Sequence, residues 1–360
     1  MAQNHTCALT EQAHSLESRP SVTIRLLARI HRTNSISHAA FSHAVGTFFA
    51  ALLTAGGTAA LAQTYPVKPV RFVVPFAAGT ATDLVTRLVG AHVTDVTGQA
   101  VLVENRVGAN GIIGAEFAAR APADGYTLMI GTNTTSAANA SLFKSLPYNQ
   151  QKDFAPVGLI GTAVLIAAVH PSLPVKTIAE LTALAKKNPG KLAFGEGSAS
   201  SRVSVEMYKQ MAGIDFLRVP YKSNPQAATD LVAGQVSLMI GDLVVLLPHV
   251  RAGRLRALAV STRERLAILP DLPTMDEAGV KGYELTIWFA GFMPAGSPNE
   301  AIRRMNELFV GATKTPKLQE FFKNFGGVAQ SSTPDELARF VASETEKWGR
   351  IVRAAGIIPE

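Results

Sequence analysis

The chain has 360 residues, of which 47% are hydrophobic, with 34 Lys and Arg against 27 Asp and Glu, eight His and one Cys. That apolar content predicts one large or two medium globular domains and excludes a disordered chain. The formal charge of +7 is scattered, with no basic run longer than pairs such as Lys186-Lys187 and Arg303-Arg304, so no nucleic-acid stripe is present and a weak positive field favours acidic small solutes.

The first 62 residues differ from the rest. Arg19, Arg25, Arg29 and Arg32 precede the small, apolar stretch Val45 to Leu61, which ends Ala60-Leu61-Ala62 before Gln63. A basic region, an apolar region and an A-x-A site predict a secretory signal cleaved near Ala62-Gln63. The apolar stretch is short and rich in Gly, Thr and Ala, which argues against a membrane anchor. Cys7 lies upstream of the cut, so the exported form has no cysteine and no disulfide. Four basic and two acidic residues are lost with the signal, which leaves a net charge of +5.

Arg71 to Leu88 reads as strand, glycine turn and helix. Phe72, Val73 and Val74 lead through Pro75 and Phe76 to Gly79, and Leu84, Val85, Leu88 and Val89 then recur at helical spacing. Thr80 with Asp83 predicts a capping box at the helix start. Unpaired amides of such a first turn hold an anion, although the same pattern also serves any ordinary βα turn.

The logic repeats downstream. Ala100–Glu104 is a strand, Gly108–Gly111 a loop, Ile112–Arg120 a helix and Tyr126–Gly131 a strand, so strands and helices alternate and a mainly parallel sheet is expected. Thr132, Asn133, Thr134, Thr135 and Ser136 cluster at one strand end, either to bond a polar ligand or to cap a helix around Ser136. The apolar run Val157–Val169 is too short for a bilayer and reads as a buried strand. Ala193-Phe194 reads as a strand ending at the Ser198–Ser201 loop, and Ser200 or Ser201 caps a helix over Val203–Met211. Val236–Ile240 leads to Gly241-Asp242, Leu255–Ser261 is a further strand, and Ile302–Ala312 and Pro334–Ala354 are surface helices.

Enzyme chemistry finds little support. Five of the eight His lie in the presequence, and His92, His170 and His249 are too scattered for a metal site. The glycines at 108, 111 and 114 miss the dinucleotide spacing, no phosphate-loop motif is present, and no cofactor is expected. Ser141-Leu-Phe-Lys144 matches S-x-x-K without its partner motifs, so a secreted hydrolase is the weaker alternative.

The runs VPFAAGTATD, ENRVGANGIIGAE, PADGYTLMIGT, LPYNQQKDFAPVGLI, RVPYKSNPQAATDLVAGQV, PHVRAGRLRALAVSTRERLAILPDLPT and FMPAGSP together resemble the periplasmic binding proteins of tripartite tricarboxylate transporters, called Bug receptors in one large branch. The resemblance spans nearly the whole exported chain. It implies a two-domain α/β binding protein of type II-like form, with two crossing strands and a ligand cleft between the domains: residues 63–165 with 287–360, and 166–286. It implies a monomer that takes a small organic acid (a di- or tricarboxylate, an acidic amino acid or an aromatic carboxylate) and delivers it to a membrane permease. A sensory receptor passing occupancy to a signalling protein needs the same cleft.

The resemblance also implies that one ligand carboxylate is held by the backbone of Phe76, Ala77, Ala78, Gly79, Thr80, Ala81, Thr82 and Asp83, with Phe76 as a cleft wall. Thr132 and Asn133 join them from the next strand end. Ser198, Ala199 and Ser200, at a second helix start, oppose that loop; Arg202 either adds a bidentate contact or points to solvent. Tyr221 lines the pocket or packs behind it. Asp242 either accepts from a ligand donor or stabilises the turn after Gly241. Two departures stand out: the family's usual Gly-Gly is Gly79-Thr80 here, and its longer glycine-serine loop ending in His is Phe194 to Arg202, ending in Arg.

Overall fold

The structure is a computed structural model that describes residues 65–360. The presequence and its cleavage site lie outside the described residues.

β1 (Val70–Val74) has Phe72, Val73 and Val74 fully buried. Gly79, at φ 78°, turns the chain into α1 (Ala81–Thr97), which ends at left-handed Gly98. Val85, Val89 and Val93 face the sheet and are completely buried, each worth about 1.5–3 kcal/mol. β2 (Val101–Asn105) pairs parallel with β1 on one side and β3 (Thr127–Thr132) does so on the other, with α2 (Ile112–Ala119) between them in sequence.

The apolar run expected at Val157–Val169 is a sixteen-residue strand, β4 (Phe154–Val169), which joins both parts of the sheet. Phe154 to Val164 pairs antiparallel with β9 (Thr286–Pro294), and β9 pairs with β3. Leu165 to Val169 pairs instead with β7 (Leu238–Asp242), and Ile166 to Val169 also with β8 (Arg256–Val260). β5 (Ala193–Glu196) and β6 (Leu217–Pro220) continue parallel beyond β7, giving the order β2-β1-β3-β9-β4-β7-β5-β6, with β8 and β10 (Val328–Ala329) also on β4.

Ser261 stitches the place where the pairing of β4 changes. Its amide donates to Leu165 O at 3.0 Å, its hydroxyl to Leu285 O at 2.6 Å, and it accepts from the Leu165 and Leu285 backbone through Oγ and O respectively. The outgoing and returning chain are therefore tied at one residue that is 1% exposed.

α3 (Ile178–Lys187), α4 (Ala199–Ala212), α5 (Asn224–Val232) and α6 (Leu243–Arg251) serve the β5–β8 part; α7 (Asn299–Thr313), α8 (Pro316–Asn324) and α9 (Pro334–Ala354) follow β9. α7 and α9 pack on β4. Buried Glu344 of α9 accepts both indole N–H groups, from Trp288 of β9 at 2.9 Å and Trp348 at 3.1 Å, so its charge is met where the helix meets the sheet.

Two expected helix starts move. α4 begins at Ala199 because Ser198, in extended backbone, is its cap and accepts from Ser201 N at 3.3 Å, which frees Ser200 and Ser201 for other bonds. After β3 no side chain caps an α-helix at Ser136; residues Thr134–Ala138 wind as a wider π-type turn.

Candidate functional site

The turn after β1 is held by its own groups. Thr80 Oγ1 donates to Ala77 O at 2.8 Å and accepts from Asp83 N at 3.4 Å. The expected reciprocal bond from Asp83 to the cap residue's amide is not made, because Thr80 N closes a turn on Ala77 O; the carboxylate reaches Gly79 N at 3.0 Å instead. Asn105 Nδ2 spans Asp83 Oδ1 at 3.0 Å and Phe76 O at 2.9 Å, and Arg87 pairs with the same carboxylate at 2.9 Å. Burial pushes the Asp83 carboxyl up, but these donors together bring it below the usual carboxylate range. Of the first-turn amides, those of Ala81 and Thr82 have no acceptor among the described residues. They are therefore the groups in this loop able to take an anion.

Phe76, Thr80 and Thr82 meet Thr132, Asn133 and Thr134 at the end of β3, and Gly197, Ser198, Ser200, Ser223, Asn224 and Asp242 at the ends of β5, β6 and β7, with Ile287 and Phe289 of β9 as the apolar wall. The cleft so formed is nearly closed, with about 20 Å³ of free space inside it. It lies at the carboxyl ends of strands, where α1, α4, α5 and α6 begin, the usual ligand position in open α/β sheets. A larger, solvent-open groove around Phe143, Lys144 and Tyr148 lacks this convergence of helix starts, which makes the cleft the candidate site.

Two contacts close the cleft directly. Asn133 Nδ2 donates to Ser200 Oγ at 2.8 Å, and Thr134 Oγ1 lies 3.1 Å from the same atom. Asn224 organises the β5–β7 side: its Oδ1 accepts from Gly197 N at 2.9 Å, and its Nδ2 reaches Ser198 Oγ and Asp242 Oδ2, each at 3.2 Å. A Cβ on Gly197 would sit 2.0 Å from the Ser223 carbonyl carbon, so only glycine permits this approach. Burial pushes the Asp242 carboxyl above its ordinary range, with the Asn224 bond the one opposing influence.

Eight of the sequence-predicted residues thus line the cleft: Phe76, Thr80, Thr82, Thr132, Asn133, Ser198, Ser200 and Asp242. Ala81 borders the adjoining apolar pocket formed with Phe321, Phe322 and Phe325. Ala77 is half-buried, Ala78 and Gly79 are exposed, and Ala199 is buried in α4. Asp83 is spent on ordering the loop. Tyr221 does not reach the cleft, because its hydroxyl donates to Asp230 at 2.8 Å and its ring packs beside Gly195, Val236 and Ala227.

Arg202 also turns away from the cleft, yet not to solvent. It is 6% exposed, with Nη1 2.8 Å from Glu360 Oε1, an ion contact whose N–H is not aimed at the oxygen. Arg218 reaches the same Glu360 oxygen at 2.7 Å and buried Glu196 at 2.8 Å. Thr134, from the polar cluster after β3, also lines the cleft, whereas sequence reasoning missed Gly197, Ser223, Asn224, Ile287 and Phe289. For Ser223 and Asn224 a signal exists: Ser-Asn-Pro after a strand marks a helix start, and Ser223 Oγ does accept from Gln226 N.

Among the described residues, no group of three His, Cys, Asp or Glu is placed to hold a metal, and no helix is long and apolar enough to cross a membrane. The family model for the tripartite tricarboxylate transporter family receptor matches residues 85–357. Protein BugT of Bordetella pertussis is 34% identical over 316 residues, 87% of this chain and 96% of that one. The structure of Rhodopseudomonas palustris Rpa4515 with adipate superposes with a TM-score of 0.80 at 34% identity, covering 82% of this chain and all of the other. MatC from the same organism, with bound malate, gives 0.76 at 30% identity over 80% of this chain and all of its own. These are two-domain α/β binding proteins, the fold that the strand order describes. The chain belongs to the tripartite tricarboxylate transporter receptor family.

Proposed function

We propose that this protein is an extracytoplasmic receptor that captures a small organic acid in the cleft and hands it to a tripartite permease. The observation that carries the proposal is the pair of unpartnered amides, Ala81 and Thr82, at the positive end of α1 in a cleft ringed by hydroxyls and side-chain amides. The adipate and malate bound by two relatives of 34% and 30% identity support a carboxylate as the anion. Residues 63–165 with 287–360 form one lobe and 166–286 the other, pivoting about the Ser261 tie, and ligand bridges them. Binding without turnover is expected, with export to the periplasm after cleavage near Ala62-Gln63.

The test is a thermal-shift screen of mono-, di- and tricarboxylates, followed by mass spectrometry of the recovered ligand. A stabilising acid recovered unchanged supports the proposal. No stabilisation by any acid, or chemical conversion of one, contradicts it.

A further inference from the structure

The wide turn after β3 has two sides. Thr132, Asn133 and Thr134 line the cleft, whereas Thr135, Ser136 and Ala137 line the open groove behind it, beside Tyr148. Asn139 N–H closes on Thr134 O, five residues back, and so does not reach Thr135 O, its acceptor in an α-helix. The Tyr148 hydroxyl supplies a donor there instead, at 2.6 Å from Thr135 O. Tyr148 is 5% exposed, and burial pushes its hydroxyl up to about 12, so it stays a donor across the neutral range. Asn139 is fully buried, and its Nδ2 donates to the Tyr148 hydroxyl at 3.4 Å and to Asn110 O at 3.0 Å. Asn110 belongs to the left-handed loop before α2, where a Cβ on Gly111 would lie 2.7 Å from Thr135 Cγ2 and 3.3 Å from the Phe76 ring.

Collapse of this turn into an ordinary α-helical one would return Asn139 N to Thr135 O and shift everything before it by one residue. Each residue of an α-helix advances about 100° around the axis, so Asn133 and Thr134 would swing off Ser200, the contact that joins the two parts of the cleft. The Tyr148 bond satisfies Thr135 O without that collapse, and the Asn139 side chain is pinned between Tyr148 and Asn110. From this we infer that Tyr148 and Asn139, neither of which lines the cleft, are positioning residues: they keep the turn wide, and with it Asn133 and Thr134 on Ser200. What closure serves rests on the receptor reading above; the effect of the turn on closure needs no ligand.

Tyr148→Phe keeps the buried ring, which packs edge-on to Phe154 with centroids 6.2 Å apart, and deletes only the hydroxyl. Solution scattering on the ligand-free exported form tests the inference as a double-mutant cycle with Ser200→Ala. Each single variant should expand the protein, and the double variant no further than Ser200→Ala alone, because both act through one contact. A hydroxyl that served stability alone would lower Tm and leave the radius of gyration unchanged. Calorimetry with the acid found by screening should agree, with a loss of roughly three- to tenfold for Tyr148→Phe in wild type and less than about twofold in the Ser200→Ala background. An unchanged radius for folded Tyr148→Phe, an expansion that adds in full to that of Ser200→Ala, or an affinity loss kept in full in that background overturns the inference. If circular dichroism shows Tyr148→Phe unfolded, Asn139→Ala, with the same results expected, decides by the same measurements. Failure of every acid to bind wild type contradicts the receptor reading and leaves the scattering cycle to judge the turn, which keeps the two failures apart.

Discussion

Asn133 Nδ2 donates to Ser200 Oγ across 2.8 Å, joining the end of β3 to the first turn of α4 although 67 residues separate them in sequence. The contact is fully buried, and Thr134 reinforces it. It fastens the β1–β3 part of the cleft to the β5–β7 part. Ser200→Ala removes the shared oxygen, and with net hydrogen bonds worth about 0.5–1.5 kcal/mol each, ligand affinity should fall roughly three- to tenfold. Solution scattering should show a larger radius of gyration for the ligand-free variant than for wild type; an unchanged profile would mean that this contact does not govern closure.

Asp83 should make the stability of the receptor acid-sensitive. Its carboxyl lies below the ordinary range in the folded protein, so it contributes stability that is present above the unfolded value, about pH 4, and lost as pH falls through the folded one. Asp83→Asn should lower Tm at neutral pH and match wild type in strong acid. Parallel melting curves of the two proteins at every pH would contradict the role given to Asp83.

Glu360 bridges Arg202 and Arg218, while its backbone pairs with Leu142 O and Lys144 N, each within 3 Å. Glu360→Gln leaves the backbone bonds but strips a partner from buried Arg202, and should cost about 1–3 kcal/mol in urea unfolding. Because Arg202 is outside the cleft, affinity should change far less than in Ser200→Ala. A large affinity loss with unchanged stability would return Arg202 to the ligand.

Secretion makes a separate expectation. Protein recovered from the periplasm of a Gram-negative host should begin near Gln63 by amino-terminal sequencing. Retention of Arg19 to Leu61 would contradict both export and the receptor role.

The strand, turn and helix of 71–88 are legible in sequence because each cue is local: β-branched residues, a glycine, a cap and helical spacing. The same holds for β4, whose apolar run needs burial along its length. Capping partners were harder to choose. Ser198, Ser200 and Ser201 are chemically alike, and only the backbone angle of Ser198 and the approach of Asn133 decide which one caps. Ser-Asn-Pro marks Asn224 only as part of a helix start; its role in the cleft depends on Gly197 meeting residues 223–224, a contact between distant loops. Arg202 and Tyr221 have the right chemistry for a ligand, but Glu360 and Asp230 claim them, and neither partner can be foreseen from the neighbouring sequence. The loop after β1 also shifts emphasis: with Gly79, Thr80 and Asp83 amides spent internally, Thr80→Pro would break a turn, whereas the Ala81 and Thr82 amides are left free for an anion.

Ala81→Pro therefore tests the central claim most directly. Ala81 is the first residue of α1, where proline fits the helix, and Thr80 already has the extended backbone that precedes proline, so the fold should survive while one anion-binding amide is deleted. Titration calorimetry with the acid found by screening should show at least a tenfold loss of affinity, since a hydrogen bond to a charged group is worth about 1.5–3 kcal/mol, with Tm of the free protein nearly unchanged. Wild-type affinity in a folded Ala81→Pro protein would mean that the carboxylate is not held at the start of α1.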